Sequence, residues 1–247
     1  MKTKNIMIVG VGGQGTLLTS RVLGGIIQEA GYDVKLSEVH GMAQRGGSVV
    51  TFVRYGEKVY EPIVEEGQAD VLIAFEKLEA MRYAHFLKKD GVLIVNDQRM
   101  DPMTVVTGAM EYPEKILETL SERFKVVSVD AMAEAKKLGN ARVFNTIIIG
   151  VAAKSMDFPK EQWLEVIEKT VPPKTIDINK EAFLTGYSIL YRNIPQEAKN
   201  DNRYAYPCLS RKDCEKSGGK TVQSGGYSGS EQRDEIRFAG VNEKSRG

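Results

Sequence analysis

The sequence predicts an α/β protein: a three-layer α/β/α sandwich built on a Rossmann-like, mixed and mostly parallel sheet. Three observations lead to this class. Short apolar runs such as Ile6-Met7-Ile8-Val9 are typical of buried parallel strands. Amphipathic segments with the apolar spacing of a helix alternate with these runs. The connections between them are short, and strands that alternate with helices in this way enclose one sheet between two helical layers.

The N-terminal part is predicted to form a strand, a helix and two further strands. Residues 5–10 form the first strand, residues 14–30 place their apolar side chains on one helix face, and residues 33–37 form the second strand. Residues 48–55 form a third strand, which we expect to pair as a hairpin with residues 58–61. That hairpin is the reason why the predicted sheet is mixed.

The rest of the chain continues the alternation and then changes in composition. Apolar runs predict strands at residues 69–75, 91–96 and 124–129. Amphipathic periodicity predicts helices at residues 78–87, 112–122, 131–138, 143–156, 159–170 and 179–191. Residues 193–247 are polar throughout, without a sustained apolar period, and such a segment cannot bury enough surface to offset its ordering entropy. We therefore expect one domain over residues 1–192 and a disordered tail over residues 193–247.

The composition is that of an ordinary globular chain. Of its 247 residues, 42% are hydrophobic, the formal net charge is +1, and no basic stripe indicates a nucleic-acid partner. No apolar run approaches the roughly 20 residues that span a bilayer. The N-terminus leads into a strand without the apolar core of a signal peptide. We expect a cytoplasmic protein that binds neither nucleic acid nor membrane.

The cysteine count argues against a metal centre within this chain. Cys208 and Cys214 are the only cysteines, and both lie in the predicted tail. An iron–sulfur cluster normally takes four thiolates, and a structural zinc site takes four Cys or His ligands. The two histidines, His40 and His85, are far from the cysteines in sequence. We therefore predict no metal site here.

A first glycine-rich segment follows the first predicted strand and opens a helix, which is the context of a dinucleotide fingerprint. Backbone N–H groups at the start of that helix are suited to hold a phosphate. Glu38, at the end of the second strand, lies where a ribose-binding acid would be. The alternative is that the glycines serve only tight turning, close packing or contact with another chain. The candidate cofactor-binding residues in this segment are Gly10, Gly12, Gly13, Gln14 and Gly15.

A second glycine-rich segment, residues 38–48, gathers chemically versatile side chains in one predicted connection. Arg45 offers a planar fork for a carboxylate or phosphate, and His40 can titrate near neutral pH. Glu38 and Gln44 are placed to orient them. Gly46 and Gly47 allow close approach of a ligand or another surface and are further candidates for cofactor contact. The alternative is a solvated loop with a single surface salt bridge, which would contribute little.

Together the two segments resemble a known family. Gly-Val-Gly-Gly-Gln-Gly at residues 10–15 and Ser-Glu-Val-His-Gly-Met-Ala-Gln-Arg-Gly-Gly-Ser-Val at residues 37–49 resemble the gamma-type domain of the 2-oxoacid:ferredoxin oxidoreductases. The His-Gly-Met-Ala-Gln form resembles the small (beta) subunit of the indolepyruvate branch. The resemblance runs from about Asn5 to about Tyr191 and includes residues 69–76 and Gly139-Asn140.

The resemblance implies a role within a larger enzyme. That enzyme oxidatively decarboxylates an aryl 2-oxoacid, transfers the acyl group to coenzyme A and passes electrons to ferredoxin. Thiamine diphosphate, Mg and 4Fe-4S clusters would lie on the partner, the large (alpha) subunit, and this chain alone would bind no cofactor. Residues 38–48 would then face the thiamine site or the coenzyme A channel of the large subunit.

Two other functions are compatible with the residues. One is a stand-alone NAD-linked oxidoreductase that uses the first glycine segment and Glu38, although the family's small subunit resembles a Rossmann domain without using NAD. The other is a non-catalytic subunit whose loop only docks its partner. A neighbouring gene for a large protein with thiamine-binding and ferredoxin-like segments is expected for the enzyme subunit and for the docking subunit, but not for the NAD-linked enzyme.

Overall fold

The computed structural model describes residues 3–41 and 46–189, which form six strands and eight helices. The strands are β1 Lys4–Val11, β2 Asp33–His40, β3 Ser48–Gly56, β4 Ala69–Ala74, β5 Leu87–Asn96 and β6 Lys125–Val129. The helices are α1 Thr16–Glu29, α2 Lys77–Tyr83, α3 Met103–Val106, α4 Ile116–Ser121, α5 Ala131–Lys137, α6 Phe144–Ala153, α7 Lys160–Thr170 and α8 Ile176–Ser188. The predicted tail, residues 193–247, lies outside the described residues.

The six strands form one sheet in the order β2-β3-β1-β4-β5-β6. The pairs β1–β4, β4–β5 and β5–β6 are parallel, whereas β3 runs antiparallel to both β1 and β2. The prediction of a mixed, mostly parallel sheet is thereby confirmed.

The predicted hairpin between residues 48–55 and 58–61 is wrong. Residues 58–61 are not a strand, and β3 instead pairs along its whole length with β1 on one side and β2 on the other. The reason is burial: most of β3 is buried, and a buried strand needs hydrogen-bond partners on both edges. Tyr60, by contrast, is 83% exposed and offers no core face for a strand.

Two helical layers cover the sheet, one on each face. Alternate residues of β1 point to opposite faces, so Ile6 and Ile8 belong to one core and Met7 and Val9 to the other. The first core packs the sheet against α1, α5, α6, α7 and α8, and Trp163 is its largest fully buried side chain. The second, smaller core packs it against α2 and α4. This confirms the three-layer sandwich.

The helix boundaries differ from the predicted ones mainly between β4 and β6. Helix α2 ends at Tyr83 and a short 3₁₀ turn, Ala84–Phe86, leads into β5. Helix α4 begins only at Ile116, and α3 was not predicted at all. Helix α3 has only four residues, too few to show a helical period, and its Met103 and Val106 are 73% and 68% exposed. None of the described helices is long and apolar enough to cross a lipid bilayer.

The topology brings several chain segments to one edge of the sheet. Strands β1, β2, β4, β5 and β6 run in the same direction, so their C-terminal ends lie together, and β3 begins beside them. We call this the carboxyl edge. The sheet order places β2 and β3 on one side of β1 and β4 on the other. In open α/β sheets such a reversal of strand order marks the crevice where ligands bind.

Candidate functional site at the carboxyl edge

The two glycine-rich segments of the sequence meet at the carboxyl edge. The N–H of Gly12 donates to the carbonyl oxygen of Gly47 at 2.8 Å, and the N–H of Gly46 donates to the carbonyl oxygen of Gly12 at 3.3 Å. These bonds continue the antiparallel β1–β3 ladder, whose last pair is Val11 with Ser48. The predicted cofactor-binding residues on both segments therefore belong to one place in the fold.

Turning and close packing both require glycine in the first segment. Gly13 and Gly15 have φ angles of 102° and 91°, in the left-handed region that favours glycine. A Cβ on Gly10 would lie 2.9 Å from the Cβ of Phe75, at the end of the neighbouring strand. A Cβ on Gly15 would collide with the side-chain amide of Asn145. Their possible contact with a cofactor stays a prediction.

Gln14 lies beneath this loop rather than on its surface. Its side chain is buried, and its Oε1 accepts a hydrogen bond from the N–H of Val11 at 2.7 Å. Its Nε2 donates to the carbonyl oxygen of Phe75 at 3.2 Å and to Oε1 of Gln98 at 3.3 Å. Gln14 thus ties the glycine loop to the segments that follow β4 and β5.

The predicted loop of residues 38–48 is shorter in the structure. Glu38 and His40 belong to strand β2, where the ladder pairs them with Thr51 and Val49, and Ser48 already belongs to β3. Strand β2 ends at His40 and β3 begins at Ser48, and residues 42–45 between them lie outside the described ranges. Pairing with β3 satisfies the backbone groups of residues 38–40, which explains why the strand continues past residue 37.

Glu38 and His40 are both exposed and lie on the same face of β2, since alternate residues share a face. The Oε2 of Glu38 accepts a hydrogen bond from Thr51 Oγ1 at 3.4 Å, and His40 Nδ1 lies 3.2 Å from its neighbour's carbonyl oxygen, that of Gly41. Within the described ranges neither side chain is hydrogen-bonded to the first glycine loop. Gln44 and Arg45, the other two candidate residues, lie outside those ranges.

A pair of buried acids beside the glycine loop was not predicted from the sequence. Glu76 is 1% exposed and receives three hydrogen bonds: its Oε2 accepts from the N–H of Glu79 at 3.0 Å, and its Oε1 accepts from the N–H of Met100 at 3.1 Å and from Tyr112 Oη at 2.5 Å. Glu76 therefore caps α2 and also holds both ends of the exposed segment 97–115. The sequence feature that could have indicated this role is the position of Glu76 directly after an apolar strand.

Glu79, one turn into α2, links that helix to the start of β3. It is 2% exposed, accepts a hydrogen bond from Ser48 Oγ at 2.5 Å and forms an ion pair with Arg82 at 2.6 Å. Burial raises the pKa of Glu79, and the nearby Glu76 adds to this, whereas Ser48 and Arg82 act in the opposite direction. Gly46, Ser48 and both acids line a cleft of about 70 Å³ at the carboxyl edge.

Two further polar residues have structural roles. Asn96 is buried at the end of β5, where its Nδ2 donates to the carbonyl oxygen of Phe75 at 3.1 Å and its Oδ1 accepts from the N–H of Ala131 at 3.0 Å. This is a capping role at the start of α5. His85 packs against Phe86 with ring centroids 4.6 Å apart, and its side chain is 20% exposed. Over residues 3–41 and 46–189, no group of three or more His, Cys, Asp or Glu side chains is arranged to hold a metal ion.

Comparison with known proteins identifies the family. Residues 5–189 match the family model described as "Pyruvate ferredoxin/flavodoxin oxidoreductase". A relative from Thermococcus kodakarensis named "Indolepyruvate oxidoreductase subunit IorB" is 44% identical over 192 residues, which is 75% of this chain and 95% of the relative. A protein of the same name from Archaeoglobus fulgidus is 42% identical over 74% of this chain and 94% of its own length.

Solved structures agree with this fold. The pyruvate oxidoreductase subunit PORC from Thermotoga maritima matches with a TM-score of 0.58 and 25% identity over 76% of this chain and 96% of that one. The 2-oxoglutarate:ferredoxin oxidoreductase from Magnetococcus marinus, solved with 2-oxoglutarate, coenzyme A and succinyl-CoA bound, matches with a TM-score of 0.57 and 19% identity. That match covers 76% of this chain but only 31% of the longer Magnetococcus marinus chain. The chain therefore belongs to the pyruvate ferredoxin/flavodoxin oxidoreductase family.

Proposed function

We propose that this chain is the small subunit of an indolepyruvate-type 2-oxoacid:ferredoxin oxidoreductase. The complete enzyme oxidatively decarboxylates an aryl 2-oxoacid, transfers the acyl group to coenzyme A and passes two electrons to ferredoxin. The observation that carries the proposal is the 44% identity to an indolepyruvate oxidoreductase subunit, which extends over 95% of that relative. The family-model match, over residues 5–189, includes both glycine-rich segments.

In this proposal the large subunit supplies the redox chemistry. Thiamine diphosphate with Mg on that subunit would supply the decarboxylation chemistry, and 4Fe-4S clusters would supply the path for the electrons. The described residues of this chain offer no cluster of metal ligands. What this chain supplies is position: an edge of the sheet at which Gly46 and Gly47 are hydrogen-bonded to Gly12 of the first glycine loop.

The carboxyl edge is the face that we propose is turned toward the large subunit's thiamine site or coenzyme A channel. His40 ends β2 there with an exposed side chain, free to orient a polar group of a substrate or partner. Arg45 follows in the connection and would attract a carboxylate or phosphate, with Glu38 and Gln44 orienting the pair. Ferredoxin is the proposed electron acceptor of the assembled enzyme.

Co-expression with the large subunit tests this function. The purified pair should form one complex and reduce ferredoxin only when both a 2-oxoacid and coenzyme A are present. Indolepyruvate should be a better substrate than pyruvate or 2-oxoglutarate, and each subunit alone should be inactive. Failure to form a complex, or NAD-dependent turnover by this chain alone, would overturn the proposal. A preference for pyruvate would overturn the indolepyruvate branch.

A further inference from the structure

We propose that Glu79 and Ser48 form a positioning pair for the reaction of the assembled enzyme. The pair sets where the second glycine-rich segment enters β3, and Arg45 directly precedes the first described residue of that entry, Gly46. The effect on turnover rests on the proposed function, whereas the contact itself rests only on the geometry of this chain.

The pair joins helix α2 to the first residue of β3, two elements that are distant in the sequence. Ser48 Oγ donates to Oε2 of Glu79 at 2.5 Å, while Oε1 of Glu79 accepts from Arg82 at 2.6 Å. Both carboxylate oxygens are therefore in use, and the backbone N–H of Glu79 donates to Glu76 at 3.0 Å. Because Glu79 is fixed from its own helix, it can hold Ser48 in one place.

Ser48 passes this restraint to the glycine-rich segments through the backbone. Its partner in the ladder is Val11, and this is the last pair of β1 with β3. Directly beyond it, the carbonyl oxygen of Gly47 accepts from the N–H of Gly12 at 2.8 Å, and the N–H of Gly46 donates to the carbonyl oxygen of Gly12 at 3.3 Å. Glycine has no side chain with which to fix its own backbone, so the contacts of its neighbours decide where the segment lies.

Packing alone does not require an acid and a hydroxyl at this contact. Acidic side chains are almost never fully buried unless they are paired, and Glu79 is only 2% exposed. Its ion-pair partner Arg82 has a side chain that is 44% exposed, and it could pair equally well with an acid at the surface. What burial adds is the contact with Ser48, which lines the cleft at the carboxyl edge beside Glu79 and Gly46. An apolar pair would fill the same space without giving the start of β3 a directional contact.

Amide hydrogen exchange of the full chain tests the contact without any activity. Ser48→Val and Ser48→Thr have side chains of nearly the same size, and only threonine keeps the hydroxyl. The N–H of Gly12 should exchange at least about tenfold faster in Ser48→Val than in Ser48→Thr, because a hydrogen bond to a charged group is lost. The N–H of the buried Phe75, which donates to the carbonyl oxygen of Val9, corrects for any change in global stability.

Three further variants separate this contact from its surroundings. Glu79→Leu removes both carboxylate oxygens and should accelerate the exchange of Gly12 as Ser48→Val does. Tyr83→Phe removes a second hydroxyl, 3.3 Å from Ser48 Oγ, and Ser121→Ala removes a buried hydroxyl that is bonded within α4, and both should leave the rate at its native value. Equal rates in Ser48→Val and Ser48→Thr, a native rate in folded Glu79→Leu, or an equal increase in Tyr83→Phe would overturn the pair.

Kinetics of the assembled enzyme test the positioning role. If the pair acts through the segment that carries Arg45, kcat/KM should be at least about tenfold lower in Ser48→Val than in Ser48→Thr. In an Arg45→Ala background the same exchange of valine for threonine should cause little further loss, because residues that act as a unit are not additive.

A merely structural role would lower kcat/KM by the same factor in both backgrounds. That result, or equal kinetics of Ser48→Val and Ser48→Thr, would overturn the positioning role. If the native complex reduces no ferredoxin, the proposed function fails, while the exchange measurement still decides whether Glu79 and Ser48 hold the glycine-rich segment.

Discussion

At the scale of single residues, the carboxyl edge is organised by two buried acids. Glu76 joins the first turn of α2 to Met100 and Tyr112, and Glu79 joins α2 to Ser48 at the start of β3. Burial, followed by the hydrogen bond to Glu76, raises the pKa of the Tyr112 phenol, because both favour its neutral form. These contacts fix the segments that border the glycine loops.

Glu76→Gln tests this organisation. The amide retains one acceptor oxygen and turns an NH₂ group toward backbone or phenol donors, so at least one buried donor loses its partner. We expect the free energy of unfolding to fall by about 1–3 kcal/mol, measured by urea denaturation. Glu161→Gln, whose side chain is 72% exposed, is the control and should change stability by less than about 0.5 kcal/mol. Equal stability of the two variants would contradict the role given to Glu76.

Glu79 should make stability depend on pH. Because its pKa is raised in the folded state, the folded chain binds this proton more tightly than the unfolded chain does. The resulting stabilisation is complete below the unfolded-state pKa and is lost as the pH rises through the folded-state value. Glu79→Gln does not titrate, so the native chain should lose stability relative to this variant as the pH rises from about 4, the ordinary value of a glutamate, through the raised folded-state pKa.

Urea titrations at several pH values measure that difference, and Glu168→Gln gives a control of opposite sign. The hydrogen bond and charge of Lys180 lower the pKa of Glu168, so the native chain should gain stability relative to that variant as the pH rises. The gain will be small because Glu168 is exposed and screened by solvent. A flat or rising difference for Glu79→Gln would refute the assignment.

At the scale of elements, the crossing of α6 and α8 depends on two glycines. A Cβ on Gly150 would collide with the carbonyl oxygen of Phe183 and lie 2.8 Å from the nitrogen of Tyr187, and a Cβ on Gly186 would collide with Ile147. The obstacles are backbone atoms, which cannot move aside as a flexible side chain can. The two helices are therefore held at a distance that only glycine permits.

Gly150→Ala should reduce the free energy of unfolding by at least about 3 kcal/mol, the upper range for overpacking a core. The matched control is Gly24→Ala on α1. There the nearest atom is Leu36 Cδ1 at 3.1 Å, on a side chain that is 44% exposed and can move. Alanine also favours helix by up to about 1 kcal/mol, so Gly24→Ala should be neutral or stabilising. Thermal and urea unfolding measure both; similar losses in the two variants would contradict the packing described.

The strands show what sequence can predict. The runs at β1, β4, β5 and β6 are apolar on both faces, which is typical of parallel strands between two helical layers, and all four were predicted. The pairing partners of β3 were not predicted correctly. Residues 58–61 follow β3 closely and look suitable as a hairpin strand, whereas its actual partners, β1 and β2, precede it in the chain and are set by the arrangement of the whole sheet.

The sequence predicted the glycine-rich backbone segments of the candidate site but not the buried acidic side chains beside them. The glycines at residues 12, 46 and 47 indicated two glycine-rich segments in the sequence. In the structure, backbone hydrogen bonds between these glycines join the two segments. Glu76 and Glu79 look like solvated helix residues in the sequence, since acids are seldom buried. Their burial follows from the cover that β3 and segment 97–115 provide, which no local pattern reveals. The contact of Asn145 with Gly15 has the same difficulty, because it joins residues that are far apart in the sequence.

At the scale of the whole molecule, the family match ends where the described domain ends, at residue 189. The Nζ of Lys154 donates to the carbonyl oxygen of Ile189 at 2.5 Å, which fastens the end of α8 to the domain. We expect a chain of residues 1–192 to unfold at the same temperature as the full chain and to bind the large subunit equally well. A loss of more than about 5 °C in melting temperature, or weaker assembly, would show that residues 193–247 contribute to the structure.

The central claim is that the carboxyl edge, where the two glycine segments meet, faces the reaction centre of the assembled enzyme. The measurement that tests it most directly is the steady-state kinetics of Arg45→Ala in complex with the large subunit. The complex should assemble normally, while kcat/KM falls about ten- to a hundredfold, because a hydrogen bond to a charged group is worth roughly 1.5–3 kcal/mol. Arg45→Lys should recover only part of the loss, since it keeps the charge without the bidentate geometry. Unchanged kinetics in Arg45→Ala would contradict the claim, and failure to assemble would make the edge a docking surface instead.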